Sequence, residues 1–367
     1  MKISIIGGGP AGLYCANALK LSNPHFDITI YEAKNESINS FGLGYTLQKG
    51  TKGFLNKIDD TFLYTLFSNK KPPQLTRAVV GANDNFRFFD FAEGQGLARV
   101  DLMRYLRNKA LELKVRIIDK KVSSASLVHL QKSSDLLIGA DGVNSIVRRK
   151  YAAKFESQEH EAKIRVSWFY NDSPEVQKDV RFYVQQTPSG AIQLCSYPIT
   201  EKRQAVIIEM TEKCFKEGGF DKRSAEQSRN YLSDLFSTDH DRISLIPTQL
   251  SWFPFKMNST KNMHYKNVAL VGEAAFSFHY SAGVGLNAAF SMGYTLNKCL
   301  NVNQDIDSAL HHYAKASIMA LRPSINKSRE DINWLENIDT QLKNTNCSDL
   351  IDHYLQKKKY KQQIALQ

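Results

Sequence analysis

A chain of 367 residues that is 42% hydrophobic and 11% aromatic can bury a large core as two domains or one elaborate one, which excludes a disordered protein. The net charge of +11 suits an anionic partner, yet the basic residues are spread out and no nucleic-acid motif accompanies them, leaving an anionic small molecule as the option. No run approaches the roughly 20 apolar residues of a membrane span, and five scattered cysteines without CxxC spacing exclude a disulfide framework and a zinc site.

The first element is an apolar strand, Ile3, Ile5 and Ile6, that runs into Gly7-Gly8-Gly9-Pro10-Ala11-Gly12, a largely apolar helix through Leu21, and a second strand, Ile28-Thr29-Ile30-Tyr31-Glu32. Gly7 suits a tight turn, Gly9 has no side chain to hold a pyrophosphate away, and Gly12 lets helix and strand pack closely. Pro10 fits the first helical position, and the free N–H groups of that helix end face an anion. Glu32 closes the second strand about 20 residues on, where its carboxylate can accept from an adenosine ribose and would repel a 2′-phosphate. The alternative is a glycine turn in some other α/β protein; with both strands, the helix and the acid in place, the dinucleotide reading is favoured. The glycine turn also interrupts the apolar start, so it does not read as a signal peptide, and a cytoplasmic protein is expected.

Phe41-Gly42-Leu43-Gly44-Tyr45 and Gly94-Gln95-Gly96 carry GxG, but neither follows a buried strand, so one dinucleotide fold is expected. Arg99 opens a helical pattern with Leu102, Leu106, Ala110 and Leu113 near one face. A cation at a helix N-terminus makes sense beside an anion, and a plain surface arginine is the alternative. Val115 to Ile118 reads as a strand. Leu136-Leu137-Ile138-Gly139 reads as a fully buried one that delivers Asp141-Gly142 to the carboxyl edge of a parallel sheet, where ligands of such sheets bind. A helix cap by Asp141 or Ser145 is the alternative there.

From about Ser157 the pattern changes. Ile164 to Tyr170, Val180 to Val184, Ala191 to Cys195 and Ala205 to Glu209 are β-branched and aromatic runs with Ser189-Gly190 as a hairpin turn, which predicts an antiparallel sheet and a second domain. Arg223 to Phe236 reads as a helix. Val268 to Val271 is another buried strand, running into Gly272-Glu273. Next comes His279-Tyr280-Ser281-Ala282-Gly283-Val284-Gly285-Leu286-Asn287, whose glycines at 283 and 285 open a helix through Leu300 at the same sheet edge. The remainder reads as helical, with a break at Arg322-Pro323, a packed Trp334, and a solvated basic face at Lys357-Lys358-Lys359 and Lys361.

These stretches together resemble the single-component FAD-dependent aromatic hydroxylases, the family of p-hydroxybenzoate hydroxylase. Its glycine fingerprint, Asp-Gly motif and Gly-Asp motif match Gly7 to Gly12, Asp141-Gly142 and Gly272-Glu273, and its helix-opening arginine matches Arg99. The likeness runs from Met1 to about Trp334 and is nearest to a subgroup. That subgroup contains salicylyl-CoA 5-hydroxylase, the 2-aminobenzoyl-CoA hydroxylating enzymes and the indole hydroxylase of violacein synthesis. Phe41-Gly42-Leu43-Gly44, Gly139 to Ser145 and His279-Tyr280-Ser281-x-Gly283-x-Gly285 look like its segments. Two positions depart: Glu273 stands where the family has aspartate, and Phe276 where it has histidine.

The resemblance implies an α/β protein with a Rossmann-like FAD domain (1–72, 97–156 and 250–310), an antiparallel-sheet substrate domain (73–96 and 157–249) and a helical C-terminal segment (311–367). It implies FAD on Gly7, Gly9, Ala11, Gly12, Glu32, Arg99, Asp141 and Glu273, with Gly283 and Gly285 beside the flavin ring. His279 and Tyr280 fall on the substrate side, and no metal is expected. The implied reaction is hydroxylation of an aromatic ring, anionic, indole-like or CoA-linked, with NAD(P)H and O2 through a flavin hydroperoxide. A flavin oxidase or reductase without oxygen transfer, or a non-catalytic FAD-binding protein, are the other readings.

Overall fold

The computed structural model describes residues 1–33, 43–68, 72–83, 85–172, 179–237, 242–248, 252–303, 305–344, 348–349 and 351–352, without the side chains of 91–93 and 344. Phe41, Gly42 and the Lys357 to Lys361 cluster lie outside the described residues. In chain order the strands are β1 (Lys2–Ile6), β2 (Asp27–Glu32), β3 (Gly44–Gln48), β4 (Gln74–Ala82), β5 (Asn85–Ala98), β6 (Arg116–Asp119), β7 (Leu136–Gly139), β8 (Gln158–Asn171), β9 (Val180–Thr187), β10 (Gly190–Pro198), β11 (Gln204–Thr211), β12 (Leu245–Pro247), β13 (Phe253–Ser259), β14 (His264–Tyr265) and β15 (Val268–Leu270).

The first sheet has the order β14-β15-β7-β1-β2-β6, parallel except for the edge strand β14. Its strands β7 and β15 are continuous apolar runs and β1 is interrupted only by the buried Ser4, as a sheet covered on both faces requires, and all four residues of β7 are buried. The chain leaves β1 toward β2 on one side, while β7 and β15 pair on the other, so the strand order reverses at β1/β7. Ile6 pairs with Gly139 and Leu270 pairs with Gly139, which sets the turns after β1, β7 and β15 side by side at the carboxyl edge. Open α/β sheets bind ligands at such a reversal.

The second sheet has the order β12-β8-β11-β10-β9-β4-β5-β3, with β13 also paired to β8. Its β8, β9, β10 and β11 are antiparallel as expected, joined by the Ser189-Gly190 hairpin, and β4 adds to β9 in parallel. Its two faces carry separate cores. Ile164, Val166, Trp168, Cys195 and Ile207 point to one, while Ile192, Val206, Ile208 and Met210 point to the other. Two strands that the sequence groups with the dinucleotide segments, β3 and β13, hydrogen-bond into this sheet instead, because each finds its pairing partner (β5 and β8) only in three dimensions.

The helix Arg99–Glu112 starts at Arg99, and the helix Gly285–Val302 starts at Gly285. The expected break at Arg322-Pro323 is corrected: Pro323 lies inside one continuous helix, Ile306–Glu336. An interior proline costs about 3 kcal/mol. Burial of Leu321, Ile332, Trp334 and Leu335 on that helix offsets it, since each large apolar side chain contributes about 1.5–3 kcal/mol. Trp334 packs into the core that holds Ile164, Val166 and Trp168. No helix among the described residues is long and apolar enough to cross a membrane.

Candidate functional site

The glycine turn has the geometry that its sequence demands. Gly7 has φ +106°, and a Cβ there would lie 2.4 Å from the Ala140 carbonyl oxygen. One on Gly12 would lie 2.0 Å from the Gly7 oxygen, so the helix Pro10–Ser22 can sit against the strand end only with glycine at that position. Gly9 is different: it caps the helix in an ordinary extended conformation, φ −72° and ψ −177°, and an added Cβ meets nothing within 4 Å. The space over Gly9 is part of a cavity.

Glu32 stands beside this turn. Its Oε2 accepts from the Gly8 N–H and its Oε1 from the Ala33 N–H at 3.0 Å. The wall beside it is completed by Lys120, Lys121 and Val122, which follow β6 and which the sequence did not single out.

After β7, Asp141 accepts from the Ile146 N–H (2.7 Å) and the Val147 N–H (3.3 Å) with Oδ2, while its buried Oδ1 has no hydrogen-bond partner. Ser145 caps the same short helix by accepting from the Arg148 N–H at 2.9 Å. Both capping roles are therefore real, and they use one carboxylate oxygen of Asp141. Burial pushes the Asp141 carboxyl above its ordinary value against the opposing hydrogen bonds. Arg148, fully buried, donates to the Ala274 carbonyl (2.9 Å), the Val143 carbonyl (2.6 Å) and Glu159 (2.7 Å). It clasps the turn after β7 to the turn after β15.

Gly272, with φ +63°, is where the third turn meets the first, since a Cβ there would lie 2.7 Å from the Ala11 Cβ. Next to it the Glu273 side chain is open to the cavity, and desolvation by the surrounding walls pushes its carboxyl up against the pull of the Arg99 charge. Arg99 donates to the Tyr45 hydroxyl, and its buried Nε has no partner. Phe276, where a histidine would match the family, packs into the core of the first sheet.

Gly283 has φ +65° at the end of a tight turn, Tyr280–Ala282, that delivers the chain to Gly285. The sequence puts His279 and Tyr280 over one space, and both border the same cavity with different neighbours. Tyr280 stands edge-on to Trp168 (5.4 Å between ring centroids) and to Phe255 (5.2 Å) in the cavity wall, and burial pushes its hydroxyl well above its ordinary value. The His279 side chain is fully buried, with Nε2 2.8 Å from Glu209 Oε1 and Nδ1 2.9 Å from Ser281 Oγ.

Gly7, Gly9, Glu32, Arg99, Asp141, Glu273, Tyr280, Gly283 and Gly285 line one continuous cavity of about 820 Å³. One arm passes Gly9, Glu32, Asp141 and Glu273; the other is a chamber walled by Trp168, Phe182, Tyr197, Phe253, Phe255 and Tyr280. The first arm is a cradle of backbone, carboxylates and helix ends, suited to a long polar cofactor. Empty space over Gly9 and the unpartnered Asp141 Oδ1 fit a dinucleotide with a ribityl or ribose chain. The chamber suits a flat apolar ring. Its residues come from β8, β9, β10, β13 and the Tyr280 turn, a set the sequence did not identify because only strand pairing brings them together.

The family described as "FAD binding domain" matches residues 119–335, and "NAD(P)-binding Rossmann-like domain" matches residues 5–50. The chain is 24% identical over 351 residues to a salicyloyl-CoA 5-hydroxylase of a Streptomyces species, covering 92% of this chain but 65% of that protein's length. It is 23% identical over 360 residues to the protodeoxyviolaceinate monooxygenase of Chromobacterium violaceum, covering 93% of this chain and 91% of that protein. A tetrameric form of 2-methyl-3-hydroxypyridine-5-carboxylic acid oxygenase superposes with a TM-score of 0.71 at 19% identity, covering 92% of this chain and 91% of that one, which establishes a shared fold.

Proposed function

The chain belongs to the FAD binding domain family, and on that premise we propose that it is an FAD-dependent aromatic monooxygenase. It would set one oxygen atom of O2 into the ring of a small aromatic substrate, with NAD(P)H as reductant. The observation that carries this reading is the continuity of the cavity, in which a dinucleotide cradle opens directly into an aromatic-walled chamber. The three relatives described above bear hydroxylase, monooxygenase or oxygenase names, which agrees with it.

In this reading Gly7, Gly9, Ala11 and Gly12 hold the pyrophosphate at the helix end, Glu32 accepts from the adenosine ribose, and Arg99, Asp141 and Glu273 hold the middle of the cofactor. Gly283 and Gly285 lie beside the ring. Bound FAD supplies the redox chemistry, taking electrons from NAD(P)H and activating O2. The protein's own contribution is placement and exclusion of water: Tyr280, Trp168 and Phe255 hold an aromatic ring flat in a dry chamber. Segments 1–72, 97–156 and 250–310 would serve the cofactor, 73–96 and 157–249 the substrate, with 311–367 a helical cover. The substrate would be anionic, indole-like or CoA-linked, with no nucleic-acid partner, in a cytoplasmic protein.

The test is to load the protein with FAD, supply NAD(P)H and a panel of aromatic acids, indoles and aryl-CoA thioesters under oxygen-18 O2, and follow the label by mass spectrometry. Labelled hydroxylated product is the expected outcome. Turnover of a substrate without label would make the protein an oxidase or reductase, and failure to take up FAD would end the reading.

A further inference from the structure

The second sheet contains a carboxylate where its pattern calls for a hydrocarbon. Along β11, Ala205, Ile207 and Glu209 share the face that points to the chamber-side core, by the two-residue period of a strand, and Glu209 is 0% exposed. In register, Glu209 stands opposite Gln193 on β10 and Val166 on β8. Its neighbour on the same face, Ile207, stands opposite Cys195 and Trp168, both in the chamber wall. Glu209 is therefore one residue pair behind the wall.

Gln193 Nε2 donates to Oε2 at 2.9 Å, and Oε1 lies 2.8 Å from His279 Nε2, a close polar contact without hydrogen-bond alignment. His279 in turn is held at its other ring nitrogen by Ser281 Oγ (2.9 Å) and at its backbone N–H by Ser328 Oγ (2.7 Å) on the helix Ile306–Glu336, and its ring packs against Phe255 (5.2 Å). A buried carboxylate is costly to desolvate, and a well-packed aliphatic side chain at the same place would serve stability as well or better. What the carboxylate adds is a polar oxygen in close contact with the buried imidazole nitrogen.

We propose that Glu209 is a positioning residue, acting from the substrate sheet through His279 to fix the turn that carries Tyr280 and Ser281 against the chamber. Within the Tyr280–Ala282 turn the Ala282 and Gly283 N–H groups bond to the His279 and Tyr280 carbonyls, at 3.0 and 3.1 Å, and Tyr280 packs on Trp168 and Phe255. The turn also connects directly to Gly283 and Gly285, so this latch sets the spacing between the two arms of the cavity. The inference rests on the proposed monooxygenase reading for its catalytic consequence, and on geometry alone for the latch.

The experiment compares FAD-loaded wild type with Glu209→Ala and Glu209→Gln, the second retaining an oxygen for the imidazole. The first readout is hydrogen exchange at residues 279–283, which needs no turnover. We expect exchange there to quicken in the alanine variant, with glutamine between it and wild type. The second is product formed per NAD(P)H oxidised and the KM for the aromatic substrate. A misplaced wall residue should lower the product ratio by about tenfold and raise KM, with FAD affinity kept and glutamine partly restoring both. Unchanged exchange at 279–283 in the alanine variant would overturn the latch. So would loss of FAD in step with loss of product, or a glutamine variant no better than alanine. Should the alanine variant fail to fold, the glutamine variant decides by the same exchange readout, wild-type exchange overturning the latch and faster exchange supporting it. If wild type gives no labelled product while exchange follows the expected order, the monooxygenase reading fails and the latch stands.

Discussion

Replacing Gly9 by alanine separates the cofactor cradle from the fold. The backbone at Gly9 is φ −72° and ψ −177°, a conformation alanine adopts without strain, and the new methyl meets nothing within 4 Å. Two small effects then oppose each other in the cofactor-free protein. Reduced freedom of the unfolded chain stabilises by about 0.4–1 kcal/mol, and alanine is a poorer helix N-cap than glycine by up to about 1 kcal/mol. The net change should stay within about 1 kcal/mol, or roughly 2–4 °C in melting temperature. Cofactor binding should suffer much more, because the methyl projects into the space over the helix end that a pyrophosphate must approach. Overpacking of about 1–3 kcal/mol corresponds to roughly 5- to 150-fold weaker FAD. Flavin fluorescence titration and melting curves with and without FAD would measure both quantities on one sample. Gly12→Ala is the contrast, since its Cβ would lie 2.0 Å from the Gly7 oxygen and the cofactor-free fold itself must give way. If Gly9→Ala binds FAD within twofold of wild type, the cavity over that helix end is not the pyrophosphate site.

Two further substitutions probe the clasp and the cavity carboxylate Glu273. Arg148→Met leaves the Ala274 and Val143 carbonyls without their donor; at about 1–3 kcal/mol for each orphaned group, a loss near 3 kcal/mol is expected, and a denaturation midpoint within error of wild type would refute the clasp. Desolvation holds the Glu273 carboxyl above its ordinary 4.5, with Arg99 opposing. The folded cofactor-free protein thus binds that proton more tightly than the unfolded chain, a contribution present below the ordinary value and lost as pH rises through the folded value. Glu273→Gln does not titrate, so its stability relative to wild type should rise with pH across that window in denaturant titrations, and a pH-independent difference would show the carboxyl to be solvated.

The cradle was legible in the sequence because backbone geometry leaves marks in residue types. Gly7 must take a positive φ, Gly12 and Gly272 must leave room for Gly7 and Ala11, and β7 must be apolar throughout to cross a doubly covered sheet. These are local demands, readable a few residues at a time. The chamber makes no such mark. Trp168 and Phe182 obey strand alternation, which says that each has a buried face but not which distant strand shares it, and Phe255 falls at a register shift of β13. Glu209 ends the apolar run from Ala205, and nothing in that run tells that pairing with β10 and β8 buries its carboxylate. Pro323 misled for the opposite reason: its local signal is a break, and packing of the flanking residues overrides it.

The two arms of the cavity therefore answer to different constraints. Gly7, Gly9, Gly12 and Gly272 form the cradle through backbone, and side-chain changes elsewhere can leave it intact. The chamber is built from side chains on β8, β9, β10 and β13, which can be exchanged without altering strand register, so the ring it accepts can differ while the cofactor arm stays as it is. The segment from Gly272 to Gly285 has to satisfy both. It begins against Ala11, passes Glu273 in the cradle, is tied to the second sheet where His279 meets Glu209, and places Tyr280 in the chamber before Gly283 turns it into a helix. A change in chamber shape that moved β11 would be transmitted through the Glu209 to His279 contact to the turn beside the cofactor arm. Under the proposed reading, the distance between cofactor and substrate would be set by the second sheet, and altering the substrate preference without loss of product yield should require Glu209, His279 and Tyr280 to be kept as a unit.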